Sequence, residues 1–299
     1  MFFNSKKYKK EVENSQQQNE DTKKLIFVGL LATNRLTRWL LRLHPHRHQN
    51  LAKVTKMPEQ IPVLFYHGFR GGDHSTQVIV DHTSNKLKRG YCKLIVDLYG
   101  NITLTGEWSG KNPIVQVVFK HRILSTAGFD YCMKMVIKYL KDEFGIEQYK
   151  AVAHSLSAPC VVRVEMQVAN KKKYPHLESC ALIAGPFNGV TYLGDIPNVN
   201  AFTQNGRPII MNHHYLYLLL HKKRFSPNIK VLNIYGNILN LTNTDNYISV
   251  ISAKSIRYIL APVSREFHEI EIRGKDAEHS WLHDNPFVID IITKFLKLC

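Results

Sequence analysis

Metal-binding and disulfide patterns are missing from this 299-residue chain. Its five cysteines, Cys92, Cys132, Cys160, Cys180 and Cys299, are odd in number, far apart, and form no CxxC or other metal spacing. Most fall in apolar runs such as Ser179-Cys180-Ala181-Leu182-Ile183, where a free thiol packs as a small hydrophobe. The histidines of His44-Pro45-His46-Arg47-His48 lack the Cys or carboxylate partners of a metal site, so no metal is expected. Long hydrophobic runs are absent too. The best candidate, Leu25 to Ala32, is too short to span a bilayer, and Arg35 and Arg38 interrupt its continuation. It also makes a poor signal peptide, because a long polar stretch precedes it and no small-residue cleavage site follows. Acidic residues are scarce, 24 against 40 Lys and Arg, which leaves a formal net charge of +16. Such a surface favours peripheral contact with an anionic membrane or cell-wall polymer. Nucleic acid is the poorer partner, since no helix-turn-helix, zinc finger or aromatic RNA platform accompanies the charge.

Hydrophobic content of 44% is ordinary for a globular chain, and the length suffices for one domain plus a tail. Residues 1 to about 22 are polar and read as a disordered tail. From Lys23 to Leu43 apolar residues recur at near-helical spacing among Arg35, Arg38 and Arg42, the pattern of a basic amphipathic helix lying on a membrane surface or against the protein body. The tail and this helix make up 1–57; the globular domain is expected over 58–299.

Within that domain, short apolar runs alternate with helical patterns. Ile61 to Tyr66, Ile114 to Phe119, Tyr149 to Ala153, Ser179 to Ala184, Ile229 to Tyr235 and Phe267 to Ile272 read as strands. Cys92 to Leu98 and Ile102 to Gly106 flank Tyr99-Gly100-Asn101 as a hairpin. Helices are expected near Ser75 to Leu87, Phe129 to Phe144, Ser155 to Asn170, and from an N-cap at Asn285 with Pro286 at the first position to the C-terminus. This alternation predicts a mainly parallel sheet covered on both faces. Residues 186 to about 228 break it with turn formers and aromatics.

Three loops carry candidate chemistry. Ala153-His154-Ser155-Leu156-Ser157 joins a strand to a helix, the setting of a nucleophile elbow, in which small flanking residues let a sharp turn lift a serine hydroxyl above the sheet. Ser155 could equally be an ordinary helix N-cap. His67-Gly68-Phe69 follows the first core strand, so the Phe69 amide and that of Leu156 form the natural oxyanion-binding pair. Further along come Asp245, in a loop past the strand ending at Tyr235-Gly236, and then His279 and His283, just before the last helix. Serine, acid, histidine is the chain order of such a triad. His279 lies earlier in its loop and is preferred as base; His283 is the alternative, or else helps to cap the helix.

These segments, with Asn112-Pro113-Ile114-Val115-Gln116-Val117, Ala184-Gly185-Pro186-Phe187-Asn188-Gly189, Val231-Leu232-Asn233-Ile234-Tyr235-Gly236 and Asn285-Pro286, resemble in order a family of bacterial α/β hydrolases described as cell-surface hydrolases of uncharacterised function, mainly from Gram-positive bacteria. The resemblance spans Ile61 to Leu298. It implies an α/β-hydrolase fold, a Ser155-Asp245-His279 triad, kinship with lipases and carboxylesterases, and no cofactor. Ala153 and Ser157 stand where glycines are usual, and Asn237 where relatives often carry aspartate, which favours Asp245 as the acid. The insertion at 186–228 is expected to cap the site, with Tyr192, Phe202, Tyr215 and Tyr217 lining an acyl pocket for a small-molecule or lipid ester. The same aromatics could instead be cap core. A catalytically impaired binding protein, or a peptidase or thioesterase on the same triad, remains the alternative.

Overall fold

Strands buried on both faces are mainly apolar, and that rule sets the middle of the sheet. The computed structural model describes residues 45–298, so the tail and the amphipathic pattern at 23–43 lie outside it. Strands β1 (His48–Asn50), β2 (Lys53–Val54), β3 (Val63–Tyr66), β4 (Cys92–Val96), β5 (Ile102–Trp108), β6 (Ile114–Phe119), β7 (Gln148–His154), β8 (His176–Ile183), β11 (Lys230–Asn237) and β12 (Glu266–Arg273) form one sheet, while β9 (Val190–Thr191) and β10 (Gly194–Asp195) pair separately. The order is β1-β5-β4-β6-β3-β7-β8-β11-β12, with β2 also on β5. The expected hairpin is the antiparallel β4–β5 pair; the other pairs of this sheet are parallel. This is the mainly parallel sheet that the alternating pattern predicts.

Alternate residues feed two cores. Val63 and Phe65 join Ile79 and Val80 of α1 (His74–Leu87) and Val288 and Ile289 of the C-terminal helix, Pro286–Phe295. Leu64 and Tyr66 face the other way, toward Phe129 and Cys132 of α2 (Thr126–Phe144) and Val161 and Val162 of α3 (Ser157–Val168). A one-residue slip of β3 would exchange these sets, so the pairing register is fixed by burial. The C-terminal helix begins as expected: Asn285 accepts from the Phe287 amide at 2.9 Å and Pro286 follows. It ends at Phe295, short of the C-terminus.

Two features differ from the sequence pattern. Strands β1 and β2 fall within 1–57, the segment expected outside the domain; three- and two-residue edge strands with mostly exposed side chains leave no apolar run to recognise. Between β8 and β11 lies helix α4 (His213–His221). Neighbouring parallel strands need a crossover, and α4 provides it by packing against α3. The β11–β12 crossover uses two short helices, α5 (Val250–Lys254) and α6 (Ile256–Leu260), which makes the C-terminal helix α7.

One buried group gives the fold a pH dependence. Glu165 of α3 is fully covered, and burial pushes its carboxyl up to about 7 from 4.5, with the Leu177 backbone amide pulling slightly the other way. An acid whose pKa is higher folded than unfolded binds more protons in the native state between those values. Stability therefore falls as pH rises from 4.5 through 7. Glu165→Gln removes the cost of a buried charge. It should stabilise the protein by about 3 kcal/mol at pH 8 and by less than about 1 kcal/mol at pH 5. Urea unfolding at the two pH values reads the difference, and equal shifts at both would contradict this origin.

Candidate active site

The site lies at the C-terminal ends of β3, β7, β11 and β12, where parallel strands deliver their loops to one edge. Ser155 stands between β7 and α3 with φ of 55°, in the left-handed region. A non-glycine residue there costs about 1–2 kcal/mol and persists only where its neighbours hold it. Its amide donates to the Ile183 carbonyl at 2.8 Å and its carbonyl accepts from the Ala158 amide at 2.9 Å. Ser155 is thus a strained turn residue and not an N-cap: α3 has no side-chain cap bond.

The residues in place of the usual glycines fit this turn. Ala153 is fully buried, and the Ser157 hydroxyl donates to the His67 carbonyl, tying the helix to the loop after β3. The His67 ring braces the same loop. Its Nε2 accepts from the Phe119 amide at 3.1 Å, so the proton sits on Nδ1, which donates to the Gly68 carbonyl at 2.9 Å. Burial holds this imidazole down to about 4, hence neutral. At Gly68 a Cβ would lie 2.8 Å from Ser155 Cβ, so only glycine permits the approach. Among the described residues, the Phe69 and Leu156 amides donate to no protein oxygen.

Asp245, almost completely buried, is fixed by its own loop: Oδ1 accepts from the amides of Tyr247 at 3.0 Å and Ile248 at 2.7 Å. Its Oδ2 meets His279 Nδ1 at 2.8 Å, and His279 Nε2 lies 3.0 Å from Ser155 Oγ. The His279 amide donates to the Asp245 carbonyl at 2.9 Å, locking the two loops through their backbones. Three side chains separated by 90 and 34 positions along the chain thus form one hydrogen-bonded line, carboxylate to imidazole to hydroxyl.

His283 takes no part in that line. It is buried, pairs with Asp284 Oδ1 at 2.7 Å and sets its ring edge-on to His154, while Asn285 caps α7. His154, next to Ser155, is a residue the sequence pattern does not single out. Its Nε2 lies 3.0 Å from the His279 carbonyl, so the ring donates there and steadies the backbone of His279. Burial, with His283 and His279 adding to it, keeps this imidazole well below the ordinary histidine range. Its position beside the serine was the available signal; that it reaches across to the last loop was not legible.

The four aromatics expected as an acyl pocket separate. Tyr215 is fully buried, with its hydroxyl 3.4 Å from the Ser255 carbonyl, and Tyr217 stacks on His221 and covers the Arg163 guanidinium at 4.0 Å. Both belong to the crossover helix α4, which leaves Tyr215 no surface for a ligand. Phe202 is half-buried beside a bridge to Pro208. Tyr192 is exposed, in a segment tied to the Asp245 loop: the Thr191 amide donates to the Tyr247 carbonyl at 2.8 Å, and Asn198 Nδ2 to the Leu241 carbonyl at 2.6 Å. Large exposed apolar side chains gather on these loops, among them Phe69, Tyr192, Leu193, Leu241, Tyr247 and Trp281. Among the described residues no cluster of His, Cys, Asp or Glu suits a metal ion.

Residues 50–298 match the model of a family described as "Alpha/beta hydrolase of unknown function (DUF915)". Among solved structures, a gene product of Listeria innocua is similar at a TM-score of 0.70 and 23% identity, covering 80% of this chain and 94% of that one. A Lactobacillus plantarum protein provisionally named a cell surface hydrolase gives 0.63 and 17%, over 81% and 93%. The Bacillus licheniformis lipase BlEst2 gives 0.50 and 10%, over 81% and 94%. At these identities the likeness is one of fold. No curated protein matches the chain.

Proposed function

The chain belongs to this family of α/β hydrolases of unknown function, and from that premise we propose that it is a serine hydrolase cleaving carboxylic esters through an acyl-enzyme. The observation that carries the reading is the line Asp245–His279–Ser155 ending on a serine held at positive φ. Ser155 Oγ attacks the ester carbonyl carbon as His279 Nε2 takes its proton. The carbonyl oxygen becomes an oxyanion, stabilised by the unengaged amides of Phe69 and Leu156. The intermediate collapses, the C–O bond to the alcohol breaks, and His279 protonates the departing alkoxide. Water then attacks the acyl-enzyme, gives a proton to His279, and releases the acid as Ser155 regains its hydrogen. Asp245 stays ionised throughout, holding the Nδ1–H tautomer and stabilising the imidazolium.

The exposed apolar side chains around the site favour esters with an apolar acyl or alcohol part, since such a cluster on a surface marks a contact for apolar material. No cofactor enters the scheme. The test is turnover of p-nitrophenyl acetate, butyrate and octanoate beside a peptide p-nitroanilide and an acyl thioester. Hydrolysis of the esters, rising from acetate to the longer chains, is expected. Preference for the anilide or thioester would reassign the activity to a peptidase or thioesterase, and turnover of none would leave a binding protein.

A further inference from the structure

The opposite pole of the sheet carries a second concavity, independent of the proposed hydrolysis. Strands β7 and β8 begin there, at Gln148 and His176, roughly 20 Å along the strand from Ser155 at about 3.3 Å per residue. A cleft of about 580 Å³ opens between these strand starts, the end of α3 at Ala169 and Asn170, the turn Lys223 to Asn228, and Arg265 before β12. Its wall presents three exposed cations, Lys223, Arg224 and Arg265, and the exposed run Lys171-Lys172-Lys173 follows Asn170 directly at its rim. Among the described residues, none of these six cations has a carboxylate in ion-pair range. One carboxylate, Glu178, lines the cleft and faces Lys150 at 3.6 Å; outside the wall Glu266 meets Lys230 at 2.5 Å and Glu147 is held by Lys141.

Three cations in the wall and three more just past Asn170 outnumber the one carboxylate there, and their repulsion is offset by an anion bound among them. Guanidinium groups on the wall select an oxyanion with several acceptor oxygens, as phosphate has, because their fork can donate two parallel bonds. We infer that this cleft binds a linear phosphate-bearing chain lacking bases, of the inorganic polyphosphate kind. A single phosphate would meet the two arginines and leave the Lys171–Lys173 rim unused; a chain reaches both. Nucleic acid fits poorly, since Phe225 in the cleft wall is buried and offers no platform for stacked bases.

The test is binding of fluorescein-labelled linear inorganic polyphosphate, followed by anisotropy at several salt concentrations. Arg224→Ala/Arg265→Ala should weaken binding by about 100-fold, near tenfold for each guanidinium removed. The slope of log K against log salt should flatten by about 1.5. Lys53→Ala/Lys120→Ala removes the same net charge away from the cleft and should change affinity by less than about threefold. Ester turnover should be untouched in both doubles. Equal weakening in the two variants would reduce the effect to net charge and overturn the site, as would absence of binding by the wild type. Inorganic phosphate competing as well as the chain at equal phosphate, or a single-stranded oligonucleotide binding more tightly than polyphosphate, would overturn the chain as ligand.

Discussion

Ser155→Ala is expected to lower kcat for a p-nitrophenyl ester by about a million-fold, the scale on which triad hydrolases lose activity when the nucleophile is removed. The covalent path needs an oxygen at the end of the hydrogen-bonded line, and among the described residues no other hydroxyl lies on it: Ser157, two positions on, is committed to the His67 carbonyl. Alanine fills the same space and meets the same cost at φ of 55°, so the folded protein should retain its thermal midpoint within a few degrees. The residual rate, supplied by the amides of Phe69 and Leu156, should still exceed that of water by about a thousandfold. Because the groups act as a unit, Ser155→Ala/His279→Ala should be no slower than either single variant. A single variant that retained a tenth of the activity would remove Ser155 from the mechanism.

Asp245→Asn is expected to cost about ten-thousandfold at neutral pH, and the local bonding dictates why. Asp245 Oδ1 accepts from two backbone amides, of Tyr247 and Ile248, which can only donate. In the asparagine variant the amide oxygen must stay with those two donors, so its NH2 group turns toward His279 Nδ1. That nitrogen must then accept, which moves the imidazole proton to Nε2, facing Ser155. The base arrives already protonated and cannot take the serine proton. The fold should survive, because the two backbone bonds are kept. A loss below about tenfold in kcat/KM, with the variant folded, would assign the acid to another residue.

The fold was legible in the sequence because doubly buried parallel strands announce themselves as mainly apolar runs. Ile114 to Phe119 and Ile229 to Tyr235 read as strands before any pairing is known. Strands β1 and β2 were not legible, since an exposed edge of two or three residues leaves no hydrophobic trace. The candidate site was legible through order: serine, aspartate and histidine each sit in a loop just past a strand, and parallel strands bring such loops to one edge. What the order could not convey is contact between loops. The Ser157 hydroxyl on the His67 carbonyl, and His154 on the His279 carbonyl, join residues 90 and 125 positions apart. Ala153 and Ser157 look like departures from the glycine pattern only until those contacts are known. The aromatics of α4 misled for a related reason. Read as pocket lining or as cap core, Tyr215 is instead buried with its hydroxyl near the Ser255 carbonyl and Tyr217 covers Arg163, contacts between distant segments that no spacing shows.

The most direct test of the account is covalent capture. A fluorophosphonate loses fluoride only to a serine whose proton is being removed by a neighbouring base, so it reports the whole line at once. Intact-mass and peptide mapping of the wild-type protein should find one adduct, on Ser155, with none in Ser155→Ala and little in His279→Ala. A folded wild-type protein that stays unlabelled, or carries its adduct elsewhere, would contradict the claim that the hydroxyl at this turn is an activated nucleophile.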